Sequence, residues 1–511
     1  MTAITIAARW AGAELHSGSY RRLLLVGAGT GALGAILMGV VAKALSPITA
    51  GLAIVGLSAA LGMMLSPTFA VMCLCFSIPF EKLGRLTNND DVIAVSLSRI
   101  IGVIALASLI LHATLRKKKL HFGTGFWLYA GYTAICMLSY LWAYSPEETF
   151  RDMFRVIGNL VFFFIIVNVI RDYPLAKKAA IVWLAATMAA GMYSLADYYY
   201  SHGNPISEAQ MDLTSKRFST VVNDLGEVRS LGKSVIRMFG PTAHPTLFGV
   251  NMTIAIPFFI WAIRTSRNRA LILVWLVGMG MSAVCIFFSN TRAVILLIAF
   301  TLLFCIVRGL WRVTAQTAVA LLALSLFVAA VLPTDIYERA LNFSLYTTAK
   351  GDSIRVRLKF WAVSWDLIQQ TWTHGIGVGD QTTVLKMVKD EDTGYLTSQG
   401  TRASAHNEFI WVMVEVGLVG YLLHWGFVFY VARSSFKAAS LFRRQRSYEP
   451  YLFALACQAI FVGIILFSLQ SEAYHYPLKG WWLMAAISCN LLEIAKRDQN
   501  LYAQRALAAA A

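Results

Sequence analysis

The chain has 511 residues, of which 58% are hydrophobic and only 14% are charged, and its formal net charge is +17. This composition excludes an ordinary soluble globular protein and is typical of a polytopic membrane protein. Lysine and arginine accumulate in the cytoplasmic loops of membrane proteins, so the positive charge does not imply nucleic acid. The sequence also lacks a basic arm with interleaved aromatic residues, and we therefore expect no nucleic-acid partner.

Apolar runs recur along the chain from about Leu23, and we interpret the first as a retained span because it lacks a convincing cleavage site. A bilayer core of ~30 Å requires roughly 20 apolar residues per helix, which predicts about fourteen spans. They lie near 23–42, 47–64, 66–80, 93–112, 125–143, 154–170, 179–197, 246–263, 270–288, 293–310, 315–332, 407–432, 451–469 and 477–494. The second and third would form a re-entrant pair in the alternative with about twelve spans. The prediction is an all-α polytopic integral membrane protein with about 12–14 transmembrane helices and a single domain, 1–511.

Basic residues occur in alternate connections between these spans. Examples are the Arg116 to Lys119 run, Arg264 with Arg267 and Arg269, and Arg443 with Arg444. By the positive-inside rule these connections face the cytoplasm, which places both termini there as well. The remaining connections face outward.

Two outward connections are long, at residues 198–244 and 333–405. Long connections in a compact bundle are usually functional or disordered. Within the second, residues 355–368 have apolar side chains at helical spacing with basic side chains between them. This pattern predicts an amphipathic helix at the outer membrane interface.

Several arginines lie on the outward side, where the positive-inside rule does not account for them. They are Arg237, Arg292, Arg355, Arg357 and Arg402. The guanidinium group presents a fixed fork of donors, so several arginines that converged on one place would suit a diphosphate. The alternative is interfacial snorkelling, or pairing with loop acids such as Asp352.

His406 and Asn407 stand where an outward-side helix begins. A histidine there can act as a general base near neutral pH. The alternative is a histidine that caps the helix or packs in the core. His244 precedes Pro245 and is interpreted as positional, whereas Glu415 is interpreted as a buried polar tie to another helix.

The sequence does not support a metal site or a nucleotide-binding site. The seven cysteines all lie in apolar runs, with no disulfide framework and no Cys/His spacing typical of zinc. The glycine-rich stretch 374–379 lacks the strand and helix context of a dinucleotide fingerprint. We therefore expect neither a metal nor another cofactor.

Three pieces of the chain together resemble the O-antigen ligase/polymerase superfamily of bacterial envelope glycan assembly. The pieces are Arg237-Met-Phe-Gly240 with His244-Pro245, then Ser289-Asn-Thr-Arg292, and then Arg355 and Trp361 with Gly375-Ile-Gly-Val-Gly379 and His406-Asn407-Glu-Phe up to Glu415-Val-Gly417-Leu-Val-Gly420. They cover roughly residues 235–420, and the third is the most specific. The chain departs from the pattern at Thr246, where related chains often have asparagine.

The resemblance implies a GT-C-like, metal-independent, inverting glycosyltransferase of the bacterial inner membrane whose active site faces the periplasm. Such enzymes transfer a glycan from undecaprenyl diphosphate to an acceptor hydroxyl. His406 would be the base, and Arg292, Arg355, Arg357 and Arg237 would hold the donor diphosphate. Asn407, Glu415 and His244 would support the site. The implied partners are the lipid-linked glycan donor, a glycan or lipid acceptor, membrane lipid, and other polysaccharide-assembly proteins.

Within this class the acceptor distinguishes a repeat-unit polymerase from a lipid A-core ligase or a protein O-oligosaccharyltransferase. The absence of a distinct acceptor-recognition domain slightly favours a polymerase of surface or exopolysaccharide. From another class, a transporter or flippase of lipid-linked saccharide should show internal repeats and polar residues at mid-membrane. The sequence shows no clear repeat, and its polar residues concentrate on the outward side.

Overall fold

The structure is a computed structural model that describes most of the membrane-embedded chain. The described residues are 47–80, 96–203, 220–222, 228–230, 238, 240–242, 245–289, 291–312, 353–386, 389–390, 394–395, 405–472 and 478–510. The predicted spans near 23–42 and 315–332 lie outside them.

The described part is built almost entirely from helices. These are α1 (Pro47–Leu65), α2 (Pro67–Ser77), α3 (Leu97–Leu115), α4 (Thr124–Leu138), α5 (Pro146–Val169), α6 (Tyr173–Gly203), α7 (Pro245–Thr265), α8 (Arg269–Phe288), α9 (Arg292–Val307), α10 (Ser353–Thr371), α11 (Gln381–Lys386), α12 (Glu408–Arg444), α13 (Tyr448–Phe467) and α14 (Lys479–Ala510). Single 3-10 turns follow α2 at Ile78–Phe80 and α4 at Ser139–Leu141. Two short antiparallel hairpins pair Thr220–Val222 with Val228–Ser230 and Lys389–Asp390 with Gly394–Tyr395.

Seven of the described helices, α3, α5, α6, α7, α8, α12 and α13, are long and apolar enough to cross a membrane. This finding confirms the predicted fold class, an all-α polytopic membrane protein. Each predicted span within the described residues coincides with a helix, although α6 continues to Gly203, past the predicted start of the loop at 198. The total of about 12–14 spans stays a prediction.

Local sequence signals determine where the helices begin. The Ser66 hydroxyl accepts the Phe69 N–H at 3.3 Å, and Pro67 occupies the first turn of α2, where its missing N–H costs nothing. The side chain of Asn268 caps α8 in the same way, through the Ala270 N–H at 2.9 Å. These caps satisfy donors that would otherwise be unpaired at the ends of apolar helices.

Aromatic side chains fill the centre of the bundle where α12, α13 and α14 pack together. Trp481 of α14 lies between the rings of Phe427 and Phe461, with centroid distances of 6.1 and 5.8 Å. Outward-pointing apolar side chains such as Val103, Trp127 and Leu273 remain exposed. A bundle that exposes apolar side chains on its flanks is suited to a lipid environment.

Contacts between connections gather the basic residues at one end of the bundle, which we call the basic end. An Arg171 guanidinium nitrogen donates to the Lys119 carbonyl at 3.3 Å, and Arg264 donates to the Gly309 and Leu310 carbonyls. Lys177 pairs with Glu449 at 2.6 Å. Arg264 thereby contacts carbonyls just beyond the C-terminus of α9, where a cation is favourable.

Helix α12 turns back on itself at Gly417. This residue has φ 63° and ψ −170°, a conformation accessible essentially only to glycine. A continuous helix would separate residues 408 and 424 by about 24 Å. Instead, the rings of Phe409 and Trp425 stack with their centroids 3.9 Å apart. Residues 408–416, the fold-back segment, therefore run antiparallel to residues 418–444, whereas the sequence predicted one uninterrupted span over 407–432.

The glycine-rich turn 374–379 is hydrogen-bonded to the backbone around Gly417. The Ile376 N–H donates to the Val414 carbonyl at 2.9 Å, and the Leu418 N–H donates to the Trp372 carbonyl at 2.8 Å. A Cβ on Gly375 would lie 2.3 Å from the Glu415 carbonyl oxygen, so only glycine permits this approach. The turn thus replaces helical hydrogen bonds that α12 loses at the reversal, and it defines the Gly417 end of the bundle, opposite the basic end.

Candidate active site

Asn407 begins the fold-back segment and holds it to the end of α13. Its side-chain oxygen accepts the N–H groups of Phe409 and Ile410 at 2.9 and 3.2 Å. Its amide nitrogen donates to the Leu469 carbonyl at 3.2 Å, and the Glu408 N–H donates to the Ser468 carbonyl at 2.8 Å. Asn407 is therefore an N-cap that also fixes the residue before it, His406, against α13.

His406 combines a constrained backbone with an accessible ring. Its φ is 51°, in the left-handed region that residues other than glycine seldom adopt. Its backbone N–H donates to Glu472 Oε1 at 2.8 Å, and its Nδ1 lies 3.6 Å from Glu472 Oε2. The His406 side chain is 40% exposed and the Glu472 side chain only 3%. The buried carboxylate of Glu472 thus lies beside the imidazole of His406, which is accessible to a reactant.

Helix α10 brings Arg357 to the same place. The Trp361 indole N–H donates to the Ala405 carbonyl at 2.6 Å, and Phe360 packs with Ala405 in a small cluster. Arg357 precedes Trp361 by one helical turn and so lies on the same face. Burial lowers the pKa of the Arg357 guanidinium, and the negative charge of nearby Glu472 opposes that shift. Arg357 and His406, distant in sequence, therefore both interact with the carboxylate of Glu472.

Arg292 begins α9 at the same end of the bundle. A Cβ on Gly463 of α13 would contact Leu297 and Thr301 of α9, which sets the register between the two helices. Five residues separate Arg292 from Leu297, or about 7–8 Å along the axis. Because α9 and α13 run in opposite directions, Arg292 lies near the level of Ser468.

The other predicted donor-binding residues are only partly described. Arg355 lies on α10, two positions before Arg357, but its side chain is outside the described residues. Arg237, which was assigned to the donor diphosphate, also lies outside them, as do the supporting residue His244 and the outward Arg402. Their proposed contribution rests on the sequence.

Glu415 lies away from His406, near the glycine-rich turn. Its side chain is buried, accepts the Gly379 N–H at 2.8 Å, and interacts electrostatically with Asp152 and Arg155 of α5. Asp380, the next residue after the turn, accepts the Ser145 N–H at 3.1 Å. Burial raises the pKa of the Asp380 carboxyl, and its hydrogen bonds oppose that shift. These acids hold the turn and are remote from the exposed imidazole.

A second polar group lies inside the bundle and was not predicted. Glu408 Oε1 lies 3.8 Å from His424 Nε2, and both side chains are buried. They line a small cavity together with Arg155, whose guanidinium is 3.2 Å from Asp152. An arginine within the apolar run of a predicted span is the sequence signal that would have indicated this cluster.

Glu472 is the site residue that the sequence reasoning missed. It follows α13 in a short connection and is isolated from the motifs that carry the resemblance. In the part of the chain that the structure describes, no three His, Cys, Asp or Glu side chains are grouped so that they could hold a metal ion.

The described helices define a polytopic membrane protein, and His406, Arg357 and the buried Glu472 form its candidate site. Residues 277–424 match the family model described as O-Antigen ligase. This match confirms the resemblance to the O-antigen ligase/polymerase superfamily. The matched stretch contains Arg292, Arg357 and His406 and ends before Glu472. No curated protein matches the chain significantly.

Proposed function

We propose that the protein is a membrane glycosyltransferase that moves a glycan from undecaprenyl diphosphate to an acceptor hydroxyl, and that it is a repeat-unit polymerase of surface or exopolysaccharide. The observation that carries the proposal is the exposed imidazole of His406 beside the buried carboxylate of Glu472, with which Arg357 interacts electrostatically. His406 and Arg357 lie within the region that matches O-antigen ligases, a family whose name implies a glycan donor and an acceptor.

The chemistry assigns one task to each group. His406 accepts the proton of the acceptor hydroxyl as its oxygen forms a bond to the anomeric carbon. The bond from that carbon to the diphosphate oxygen breaks, and the electron pair leaves with undecaprenyl diphosphate. Attack opposite the leaving group inverts the anomeric carbon. Arg357, with Arg292, Arg355 and Arg237, stabilises the negative charge that develops on the diphosphate, where fixed guanidinium groups help most.

The orientation follows from the separation of the two ends. The basic end carries the arginines and lysines that the positive-inside rule assigns to the cytoplasm. The Gly417 end and the site then face the periplasm of the bacterial inner membrane. Helix α10 supports this placement, because it exposes Leu358 and Trp365 on one side while Phe360 and Ser364 are buried on the other. A helix with an exposed apolar row suits a membrane interface.

The proposal is tested in a deletion strain complemented with the wild type, His406→Ala or Arg357→Ala, with membrane levels measured for each. We expect both variants to lose long glycan and to accumulate undecaprenyl-linked single repeat units. Matched controls are His121→Ala, an exposed histidine near the basic end, and Arg151→Ala, an exposed arginine paired with Glu148. Both controls should retain glycan output.

The pattern of accumulated material separates the alternatives. Full-length lipid-linked glycan that does not reach its acceptor would identify a ligase. Wild-type output from both site variants would contradict the assigned site and would favour transport of lipid-linked saccharide.

A further inference from the structure

The carboxylate of Glu472 occupies a position that requires an explanation. Its side chain is only 3% exposed. A buried carboxylate is costly unless charged or hydrogen-bonding partners compensate for its lost hydration. Among the described residues, its partners include the His406 backbone N–H and the His406 ring, and the Arg357 guanidinium interacts with it electrostatically. These partners belong to the proposed reaction site.

The segment that carries Glu472 is attached to the segment that carries His406. Ser468 and Leu469 accept hydrogen bonds from the Glu408 backbone and the Asn407 side chain at 2.8 and 3.2 Å. Together with the bond from His406 to Glu472, three hydrogen bonds join the end of α13 to the start of the fold-back segment. These three hydrogen bonds thus hold Glu472 next to His406.

The backbone of His406 supports a functional interpretation of this arrangement. A left-handed conformation at a residue other than glycine is unfavourable and persists where neighbouring contacts determine it. The N–H of His406 donates to Glu472 in this conformation. The same carboxylate therefore holds the strained backbone and faces the ring of one residue.

We infer that Glu472 is a positioning residue that determines which ring nitrogen of His406 carries the proton. This inference rests on the proposed function. A neutral imidazole has one N–H, and a carboxylate beside Nδ1 favours the proton there. Nε2 then keeps its lone pair and is the nitrogen that accepts the proton from the acceptor hydroxyl. Glu472 also stabilises the imidazolium that forms. The 3.6 Å separation is long for a hydrogen bond, but such bonds often shorten when substrate is bound.

Glu472→Gln tests the inference because the glutamine is nearly isosteric. Its carbonyl oxygen can still accept the His406 backbone N–H. Its amide group would donate to Nδ1, so the ring proton would move to Nε2 and the base would be lost. We expect kcat to fall by at least about 100-fold, the lower range for loss of a general base. KM for the donor should change by no more than a few-fold.

The assay uses the full-length protein in proteoliposomes with lipid-linked glycan extracted from the deletion strain. Glu449→Gln is the matched control, because Glu449 is a partly buried glutamate paired with Lys177 at the basic end. It should retain wild-type kcat. Glu472→Asp keeps the carboxylate and should recover part of the activity lost in Glu472→Gln.

A double variant separates a positioning role from a purely structural one. If Glu472 acts through His406, adding Glu472→Gln to His406→Ala should cause no further loss. The inference would be overturned if the activity losses of the two single variants multiplied in the double variant. It would also be overturned if Glu472→Gln lowered the unfolding temperature with a proportional loss of activity, or if it changed only KM. Wild-type kcat in Glu472→Gln with an inactive His406→Ala would overturn this inference alone. An active His406→Ala would instead overturn the proposed function.

Discussion

Two histidine–glutamate pairs lie side by side at the start of the fold-back segment, and the exposure of their histidines differs. His406 and Glu472 approach to 3.6 Å, and His424 and Glu408 approach to 3.8 Å. The His406 side chain is 40% exposed, whereas that of His424 is 4% exposed. The residue types and distances are nearly the same, so accessibility distinguishes a pair that can meet a substrate from a pair that can only stabilise the bundle.

The largest expected effect comes from removing each histidine in turn. His406→Ala should lower turnover by about 10²–10⁴-fold, because it removes the general base, and should lower the unfolding temperature less than His424→Ala does, because its side chain is 40% exposed. His424→Ala leaves Glu408 buried without this partner and should destabilise the protein by about 3–5 kcal/mol. Turnover per folded molecule should persist in His424→Ala. Turnover is measured as glycan transfer in proteoliposomes, and stability as thermal unfolding in detergent. If His424→Ala lost turnover and His406→Ala lost stability, the comparison would be refuted.

A smaller effect is expected where the chain reverses, because both pairs depend on that reversal. Gly417→Ala places a Cβ 2.6 Å from the His374 backbone nitrogen and strains a φ of 63°. The loss should be at least about 2 kcal/mol in unfolding free energy. Gly426→Ala is the matched control on the same helix, since its Cβ would meet only Leu128 at 3.8 Å. Equal stability of the two variants would contradict the fold-back geometry.

The smallest expected effect on stability comes from removing helix caps, and two caps can be compared directly. Asn407→Ala and Asn268→Ala each remove a side chain that accepts N–H groups at a helix start. Each should cost about 1 kcal/mol of stability. Only Asn407→Ala should also reduce turnover, because Asn407 holds the backbone next to His406. A similar decrease in turnover for both caps would show that cap loss acts through stability alone.

The helices of this fold were predictable because their apolar runs are long and regular. The predicted amphipathic segment at 355–368 coincides with α10, which covers Ser353–Thr371. The start of α12 was placed within one residue. In each case the signal lies within a single stretch of sequence, so hydrophobic periodicity is sufficient to find it.

The reversal at Gly417 and the role of Glu472 were not predictable in the same way. Gly417 sits in an apolar run that also satisfies the pattern of an ordinary span, and glycine is common in membrane helices. Two acids in that run, Glu408 and Glu415, were the available sign of an irregular helix. Glu472 lies 66 residues from His406. Only the packing of α13 against the fold-back segment brings these two residues together.

The fold-back segment has a consequence for how His406 is located in the molecule. The segment is nine residues long, so it carries His406 about 13 Å below Gly417, toward the bundle interior. Its far end is hydrogen-bonded to Ser468, Leu469 and Glu472, whereas its contacts with the spanning half of α12 are between side chains, as in the stack of Phe409 on Trp425. Axial displacement of α13 would therefore pull on the backbone at His406 directly. The position of the His406 imidazole along the bundle axis therefore depends on α13. The reversal of α12 at Gly417 makes these contacts possible.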